Sequence, residues 1–464
     1  MSGALALRLT GEQYAAIRAH LFPGDGNEAA VIGLCGRLDA TPHRRLLLRE
    51  VHPVPYEVCT ARSPVSVRWP VSWLDPLLER AERENLSIVK FHSHPSDYDR
   101  FSDVDDRSDR HLFEGIQAWF DRDLPHASVV MIEDGRLLGR AIEGAGVFTP
   151  LKTIAVVGDD VRFWHHEPPA LPERLTGVGR QAAAFGNRMT AELSALSIAV
   201  VGASGTGSIM LEQAGRLGFG RIVTIDPQAV EVRNLNRIMN AERTDADNEA
   251  PKVAVARQAI EAMGLGSHVE DYPIDLVSRE AVRAVAGCDV IFGCVDSAEG
   301  RDVLNRISTY YLLPYIDVGV GIVALPDGMI DQVNGAVHYI QPGKSSLLSR
   351  RVYRPEQVAT DALRRSNPAL YAERRREKYI EGADEDAPAV ITINMTMAAL
   401  AMNELLSRLY LVRNGRNANY AATRMNFAEM TLDSDPEEGC CMVLARHLGK
   451  GDTNPLLGLP ELSA

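Results

Sequence analysis

Two histidines, a serine and an aspartate lie close together in the segment FHSHPSDYDRFSDVDD, residues 91–106. The stretch SIVKFHSH is rich in β-branched and aromatic residues, which predicts a strand. Side chains alternate between the two faces of a strand, so His92 and His94 point the same way. Two imidazoles on one face can bind one metal ion. A catalytic zinc needs three protein ligands and an open position for water, and Asp105 is the natural third ligand.

The serine and the aspartate also have an interpretation that involves no metal. Ser102 and Asp105 are three residues apart, directly before the segment VDDRSDRHLFEGIQAWF. This is the spacing of a helix capping box. Capping does not explain the paired histidines, and a residue at a helix start can also present its carboxylate to a metal. Both roles therefore stay open for this pair.

Hydrolysis at such a metal would also need a base and a group that stabilises an oxyanion. An acid lies upstream in GDGNEAAVIGLCGR, where Glu28 opens an apolar run. This pattern, a glutamate followed by His-x-His-x7-Ser-x-x-Asp, resembles that of the JAMM (MPN-type) metalloprotease family over roughly residues 1–150. The resemblance implies that Glu28 is the general base and that Ser102 helps to hold the oxyanion. It implies three zinc ligands: His92, His94 and Asp105. Members of this family cut isopeptide or peptide bonds next to the C-terminal glycine of ubiquitin-like proteins.

The overall composition is that of an intracellular protein with more than one domain. A chain of 464 residues predicts two or three domains, each with its own core. The 49 Lys and Arg against 62 Asp and Glu leave a net charge of −13, which argues against general nucleic-acid binding. No apolar run approaches the roughly 18 residues of a membrane span. Six cysteines form no disulfide framework, and the start lacks a signal-peptide pattern, so we expect a cytoplasmic protein without a membrane partner.

A proline-rich stretch divides the sequence. Prolines interrupt regular structure in FWHHEPPALPERLTGVGR, residues 163–180. We predict a first domain over residues 1–160, a linker over 161–178 and a second domain over 179–464. Adjacent histidines point in opposite directions in an extended chain, so His165 and His166 are interpreted as linker residues rather than ligands.

The second domain opens with LSIAVVGASGTGSIMLEQAGRLGFGRIVTID, the pattern of a strand, a glycine turn, a helix and a second strand. Gly202, Gly205 and Gly207 would let the backbone approach phosphates at the helix N-terminus, and Asp226 would meet ribose hydroxyls. The glycine pattern is imperfect, because a Gly-x-Gly-x-x-Gly fingerprint needs glycine where Ser204 stands. A dehydrogenase, which would bind a nicotinamide cofactor, is the obvious alternative.

The residues beyond Asp226 favour a nucleoside triphosphate over a dinucleotide. The segments PQAVEVRNLNRIMN and PKVAVARQAIEAM offer Asn234, Arg237 and Lys252, an amide and two cations that can neutralise a pyrophosphate leaving group. The strand DVIFGCVD ends at Asp296, a carboxylate for magnesium. Each residue alone could be a salt bridge, a helix start or a strand-end cap, but together they favour adenylating chemistry.

This half resembles the ThiF/MoeB family and the adenylating domain of ubiquitin-activating enzymes over roughly residues 175–412. The segment GRQAAAFG is similar to the family's Arg-Gln-x-x-x-Phe-Gly, and APAVITINMTMAALAMNELL to its last core helix. The resemblance implies that Arg180 reaches the ATP site across a homodimer interface. It implies phosphate contacts for Gly202, Gly205 and Gly207, a ribose contact for Asp226, triphosphate contacts for Asn234, Arg237 and Lys252, and magnesium coordination by Asp296.

Two departures from that family concern cysteines. Members often hold a structural zinc with a Cys-x-x-Cys pair after Pro-Gly, but PGKSSLLSR has Ser346 and Ser349 there, and hydroxyls are poor zinc ligands. We therefore expect no second zinc. Self-loading members carry a cysteine before the last helix, and YIEGADEDAP has none. Cys440 or Cys441, or more remotely Ser345 or Ser346, could accept the acyl group, although the simpler expectation is adenylation alone.

The predicted fold class is α/β: an N-terminal JAMM domain of the cytidine-deaminase-like α/β type, followed by a Rossmann-like doubly wound ThiF/MoeB-type domain. The expected cofactors are zinc, ATP and magnesium. The predicted function is that of a bifunctional enzyme in a prokaryotic ubiquitin-like modification pathway. One half would process or remove a ubiquitin-like protein, and the other would adenylate its C-terminal glycine for a conjugating-enzyme partner. The alternatives are processing and activation of a sulfur carrier, or a scaffold that binds a ubiquitin-like protein without turnover.

Overall fold

The computed structural model describes residues 4–96, 98–143, 146–175, 179–324, 329–376 and 389–463. The chain divides into two compact units. The first contains the residues up to Pro168 together with the later segments Tyr310–Leu312 and His447–Thr453, and the second contains the rest. Within the described ranges, no helix has both the length and the apolar character that a membrane crossing requires.

The first unit is built around a mixed sheet. Its described strands and α-helices are β1 (Ala6–Thr10), α1 (Gly11–Leu21), β2 (Ala30–Leu38), β3 (Arg45–Pro53), β4 (Ala61–Ser63), β5 (Ser66–Arg68), α2 (Asp75–Glu84), β6 (Ser87–His94), α3 (Asp103–Trp119), β7 (His126–Ile132), β8 (Leu137–Glu143), β9 (Val147–Pro150), β10 (Thr153–Val157) and β11 (Val161–His165). Nine of these strands form one sheet in the order β11-β10-β1-β3-β2-β6-β7-β8-β9. Strands β4 and β5 form a separate hairpin.

Both faces of the central strands are buried. Along β2, Val31 and Cys35 face a core that α1 covers, while Ile32 and Leu34 face a second core that α2 and α3 cover. Because helices cover both faces of these strands, β2 and β6 are buried along their whole length. The result is a three-layer arrangement of helix, sheet and helices, with β6 between β2 and β7.

Three charged side chains are buried between β6, β8 and α3. The Lys90 ammonium donates to Asp109 Oδ1 at 2.7 Å, and the Arg140 guanidinium donates to Asp109 Oδ2 at 2.7 Å. Burial alone would raise the pKa of Asp109, but the charges of Lys90 and His92 and the hydrogen bonds from Lys90 and Arg140 together outweigh it and lower that pKa to about 2. This ion-pair network holds α3 against the sheet at Asp109, in the second turn of the helix.

The segment His447–Thr453 packs against β2. Gly451 forms a parallel bridge with Arg37, and the amide of Asp452 donates to the Arg37 carbonyl at 2.7 Å. Gly36 has no side chain at this approach, and a Cβ there would overlap carbonyl oxygens of the segment. A stretch near the end of the sequence is therefore part of the first unit.

The second unit contains a doubly wound sheet. Its described strands and α-helices are α4 (Gly179–Ala195), β12 (Ser197–Val201), α5 (Gly205–Leu217), β13 (Arg221–Ile225), α6 (Arg243–Asp247), α7 (Lys252–Ala262), β14 (His268–Tyr272), α8 (Arg279–Ala286), β15 (Val290–Gly293), α9 (Ala298–Tyr311), β16 (Tyr315–Ala324), β17 (Ile330–Ile340), α10 (Pro355–Ser366), α11 (Pro368–Arg376), α12 (Ile391–Tyr410), β18 (Ala422–Asn426), β19 (Thr431–Asp435) and α13 (Met442–Ala445). The described sheet order is β14-β13-β12-β15-β16-β17-β18-β19. Strands β12 to β16 pair in parallel, and β17 to β19 continue the sheet antiparallel. The winding reverses between β12 and β15, which makes that crevice the topological switch point.

The predicted α/β class, with a doubly wound second half, is confirmed. The predicted start of the linker at residue 161 is wrong. Residues Val161–His165 form β11, which pairs antiparallel with β10 at the sheet edge. The sequence VRFWH has the aromatic and β-branched residues of a strand, and the prolines that interrupt regular structure begin only at Pro168.

We expect replacement of Asp109 by alanine to lower the free energy of unfolding of the first unit by about 3–5 kcal/mol, because two buried cations lose their anion. Chemical denaturation of the full chain measures this loss. The matched control is Asp134→Ala, which breaks an exposed pair with Arg136 and should cost less than about 1 kcal/mol. Equal effects of the two substitutions would show that the buried network does not stabilise the unit.

Candidate functional site

The structure brings His92, His94 and Asp105 together. Both histidines lie on one face of β6, and Asp105 lies in the first turn of α3. His92 Nε2 is 3.0 Å from Asp105 Oδ1, and His94 Nε2 is 3.4 Å from Asp105 Oδ2. The three side chains are buried, and one potential ligand atom from each lies within 4.8 Å of the others. Two imidazoles and a carboxylate are a suitable ligand set for zinc.

The hydrogen bonding of His94 supports a cation at this position. His94 Nδ1 is 2.9 Å from the Tyr98 carbonyl oxygen, which can only accept, so Nδ1 carries a proton. In a neutral ring, Nε2 then has a lone pair, and this lone pair faces the carboxylate of Asp105. Two acceptors that face each other need a proton or a metal ion between them. Fixing one ring nitrogen on a backbone carbonyl is also how proteins orient metal-binding histidines.

The protonation tendencies of the other two groups agree with metal binding. Burial lowers the pKa of His92, so its imidazole is neutral, as a metal ligand must be. Burial alone would raise the pKa of Asp105, but hydrogen bonds with His92, His94 and Ser102 outweigh it and hold that pKa well below its usual range. The carboxylate of Asp105 is therefore an anion at neutral pH.

Ser102 is the N-cap of α3. Its hydroxyl donates to Asp105 Oδ2 at 2.6 Å and accepts from the Asp105 amide at 3.2 Å, while its own amide donates to Asp105 Oδ2 at 2.7 Å. The capping box and the metal cluster thus share one carboxylate, so the two interpretations of this pair are compatible. In this arrangement the hydroxyl proton is directed at Asp105, and an oxyanion contact would require the hydroxyl to turn away from it.

Glu28 lies next to this cluster. It precedes β2, in which Ala30 is the register partner of His92, and its amide donates to the Ser63 carbonyl at 2.8 Å. Burial is the main cause that raises the pKa of Glu28 to about 7. The charge of His94 opposes this rise, and the charge of Asp105 adds to it. An acid with a pKa near neutrality beside a metal cluster is suited to accept and return a proton.

We expect one zinc per chain, and we expect Asp105→Ala to lose it because two imidazoles alone leave the site without its anionic ligand. Elemental analysis after dialysis against trace metal measures the stoichiometry. The matched control His111→Ala changes an exposed histidine on the same helix and should keep the zinc. Two zinc ions per chain would contradict our interpretation of Ser346 and Ser349.

The glycine turn of the second unit lies at the switch point of the sheet. Gly202 follows β12 with φ +90°, and α5 begins at Gly205. A Cβ on Gly202 would come within 2.5 Å of the Cys294 carbonyl oxygen, and one on Gly207 would overlap the Gly202 carbonyl oxygen. Glycine is therefore required for this close backbone approach, which leaves amides at the start of α5 facing the crevice.

The acids predicted for the nucleotide site follow neighbouring parallel strands. Asp226 follows β13, and its carboxylate accepts from the amides of Ala203 at 2.8 Å and Gln228 at 2.9 Å. Asp296, which is exposed, follows β15. Because β12, β13 and β15 are parallel, both acids and the glycine turn lie at the same edge of the sheet. Asp226 thus fixes the glycine turn as well as being available to a ligand.

The predicted triphosphate contacts have local partners in the structure. Lys252 is buried and donates to Gln228 Oε1 at 2.6 Å. Burial lowers the pKa of Lys252, and the opposing charges of Asp226, Glu231 and Asp296 do not outweigh it. Asn234 is buried and its side-chain oxygen accepts from the Glu231 amide at 3.1 Å. These contacts hold the side chains beside the crevice.

Arg237 lies against the start of α5. Its Cδ is 3.3 Å from the position of a Cβ on Gly205, and its guanidinium donates to the Arg233 carbonyl at 2.8 Å. The side chain of Arg180 lies outside the described residues, as do residues 377–388, where the sequence has no cysteine. The proposed contact of Arg180 across a dimer therefore stays a prediction.

Sequence reasoning missed two polar residues that support these sites. Asn394, on α12, is buried and its Nδ2 occupies the space that a side chain at Gly205 would need. Lys90, on β6, lies two residues before His92 and therefore on the same face. In both cases the available signal was a polar residue inside an apolar run.

The serines that stand in place of the family's zinc-binding cysteines form hydrogen bonds with each other. Ser346 Oγ accepts from the Ser349 amide at 3.2 Å. Nearby, Glu437 accepts from the Ser345 hydroxyl at 2.5 Å and from the Arg350 guanidinium at 2.9 Å. This hydrogen-bonded ion pair joins the loop after β17 to the segment after β19. Among the candidate acceptor thiols, Cys440 is exposed and Cys441 is buried.

Two family models match this chain. The model of the ThiF family matches residues 178–442, more than half of the chain, and a model of prokaryotic homologs of the JAB domain matches residues 11–141. The chain belongs to the ThiF family. It joins a ThiF-type domain to an N-terminal JAB-type domain, as the sequence predicted.

The curated relatives match only part of their length. Ubiquitin-like modifier-activating enzyme 5 of Drosophila melanogaster is 24% identical over 257 residues, which cover 52% of this chain and 56% of the relative. The protein of the same name in Oryza sativa subsp. japonica is 27% identical over 160 residues, 32% of this chain and 36% of the relative. The chain thus spans about half the length, or less, of these relatives.

The comparison with solved structures gives matches of low identity and low TM-score. E. coli MccB with ATP is 14% identical, with a TM-score of 0.43 over 58% of this chain and 73% of that chain. PaaA is 17% identical, with a TM-score of 0.40 over 58% of this chain and 84% of that chain.

Proposed function

We propose that this chain is a bifunctional enzyme of a prokaryotic ubiquitin-like modification pathway. The first unit is a zinc-dependent (iso)peptidase that processes or removes a ubiquitin-like protein. The second unit adenylates the C-terminal glycine of that protein, using ATP and magnesium. One observation carries the proposal: a single chain combines a buried His-His-Asp cluster beside a near-neutral acid with a glycine turn at the switch point of a ThiF-type sheet.

The first unit supplies the groups that hydrolysis of a peptide bond requires. A zinc ion held by His92, His94 and Asp105 would polarise the substrate carbonyl and acidify a water. Glu28 takes the proton of the attacking water and delivers it to the leaving amine, since its pKa lies near neutrality. Ser102 holds the Asp105 carboxylate in place, and its hydroxyl is the proposed donor to the oxyanion once it turns from Asp105.

The second unit supplies the groups that adenylation requires. The amides at the start of α5, which Gly202, Gly205 and Gly207 keep accessible, bind phosphate oxygens. Lys252 and Arg237 balance the charge that develops on pyrophosphate as the glycine carboxylate attacks the α-phosphate. We assign the ribose to Asp226, a triphosphate contact to Asn234 and a magnesium ion to Asp296.

The proposal also covers the partner, the oligomeric state and the cellular location of the enzyme. We propose a conjugating-enzyme partner that takes over the activated acyl group, and a homodimer in which Arg180 completes the ATP site of its neighbour. A cytoplasmic location is supported by the cysteines, all six of which are free thiols. We assign the peptidase to the first unit, residues 1–168 with the segments Tyr310–Leu312 and His447–Thr453, and the adenylating activity to the second unit.

We expect Glu28→Gln to keep its zinc but to reduce cleavage of a ubiquitin-like fusion about 10²–10⁴-fold, because an amide cannot accept the proton. In the unsubstituted enzyme the active form has Glu28 deprotonated, so kcat/KM should fall as the pH decreases through its pKa. That pKa is about 7 without metal, and a bound cation lowers it, so the acidic limb should lie below pH 7. A pH profile of cleavage measures the limb, and a variant with full activity would mean that another residue is the base.

We expect Gly207→Ala to abolish ATP binding and ATP–pyrophosphate exchange, because its Cβ would overlap the Gly202 carbonyl oxygen and displace the phosphate-binding turn. Calorimetric titration with ATP and magnesium measures binding, and exchange is followed with a peptide that ends in a free glycine carboxylate. Gly321→Ala is the matched control, since a Cβ there meets open space in the same unit. Unchanged ATP affinity in Gly207→Ala would place the nucleotide elsewhere.

A further inference from the structure

A cavity of about 390 Å³ opens in the first unit beside the metal cluster. Its walls are mainly apolar and aromatic, and they come from β8, β9, β10 and β11 and from the loop before α3. The large apolar side chains that line it include Phe101, Leu138, Phe148 and Trp164. A cavity of this size and character is suited to an apolar group.

One loop joins the cavity to the metal cluster. The Tyr98 carbonyl accepts from His94 Nδ1, while Asp99, Arg100 and Phe101, the next residues, line the cavity. The ring of Phe101 lies with its centroid 6.2 Å from that of His92. An extended peptide advances about 3.3 Å per residue. A substrate whose scissile bond lies at the cluster can therefore reach the cavity with a side chain only a few residues away.

The walls are held in place before any ligand binds. Trp164 stacks on Tyr14 with ring centroids 5.8 Å apart, and the Tyr14 hydroxyl donates to the Gly135 carbonyl at 2.8 Å. On the other side, the Arg140 guanidinium lies 3.9 Å from the ring centroids of both Phe101 and Phe148. A preformed wall costs less conformational entropy on binding. Trp164 also lies outside residues 11–141, the range that the JAB-type model matches.

We propose that this cavity is a specificity pocket that takes one bulky apolar side chain, such as leucine or phenylalanine, of the polypeptide substrate near the scissile bond. The inference rests on the proposed peptidase function, because the occupant is a residue of its substrate. Burial of a leucine-sized group should favour such peptides over alanine peptides by about tenfold or more. The pocket would thereby select among polypeptides that all end in glycine.

Binding and cleavage are measured separately. The probes are internally quenched peptides that contain Gly-Gly next to the scissile bond, with each flanking position varied in turn among alanine, leucine, phenylalanine and aspartate. Their affinity is measured by tryptophan fluorescence with the zinc-loaded Glu28→Gln variant, which binds without turnover. The control Trp164→Phe removes the contribution of the pocket and leaves the signals of Trp69, Trp73 and Trp119. Cleavage by the unsubstituted enzyme then gives kcat and KM for each peptide.

Substitutions in the wall test the location. Leu138→Glu should abolish the roughly tenfold preference for leucine, and Leu138→Ala, which enlarges the cavity, should shift the preference towards phenylalanine. Val147→Glu changes an exposed residue on the neighbouring strand and should leave the preference intact. Zinc content and circular dichroism confirm that each variant is folded.

The outcomes separate the two proposals. A preference for an apolar residue at one flanking position that Leu138→Glu removes supports the pocket. Equal affinity for all peptides, or a preference that survives in Leu138→Glu, overturns the pocket proposal. This holds even if the enzyme cleaves the peptides efficiently. If apolar peptides bind with the expected preference but no peptide is cleaved, the pocket stands and the peptidase function fails.

Discussion

The first unit depends on a single carboxylate placed between two imidazoles. Asp105 accepts from the hydroxyl and amide of Ser102 on one side, and faces His92 and His94 on the other. Its charge is retained although it is buried, because hydrogen bonds with His92, His94 and Ser102 stabilise the anion. Asp105 thus connects the start of α3 to the two imidazole rings on β6.

The support beneath that carboxylate is electrostatic. Asp109 lies one helical turn after Asp105 and binds Lys90 from β6, the strand of the histidines, and Arg140 from β8, which β7 separates from β6. The helix that carries the anionic ligand and the strand that carries the neutral ligands are thus joined by buried charges. Such networks are costly when incomplete, which favours one position of the helix over others. Geometry at the metal cluster is therefore fixed by groups that do not touch it.

Local spacing was sufficient to predict the cluster, but not its environment. His92 and His94 are related by strand alternation, and the Ser102–Asp105 pair by helix capping, so both relations can be read from a few adjacent residues. The contact of Lys90 with Arg140 through Asp109 links three elements, and no local pattern encodes it. The same holds for Asn394, whose amide lies against Gly205 from a helix far along the chain. The boundary at residue 161 was misplaced because prolines shortly after a strand obscured its short alternating pattern.

The return of residues 447–453 to the first unit has a consequence for the synthesis of this protein. The segment binds the carbonyl edge of β2 through Arg37, and Gly36 leaves the space it occupies. On a ribosome, the N-terminal sheet emerges long before that segment has been translated. The first unit therefore reaches its final packing only after residues 447–453 have been translated. Removal of the second unit by a single cut would likewise separate the N-terminal sheet from a part of its own packing.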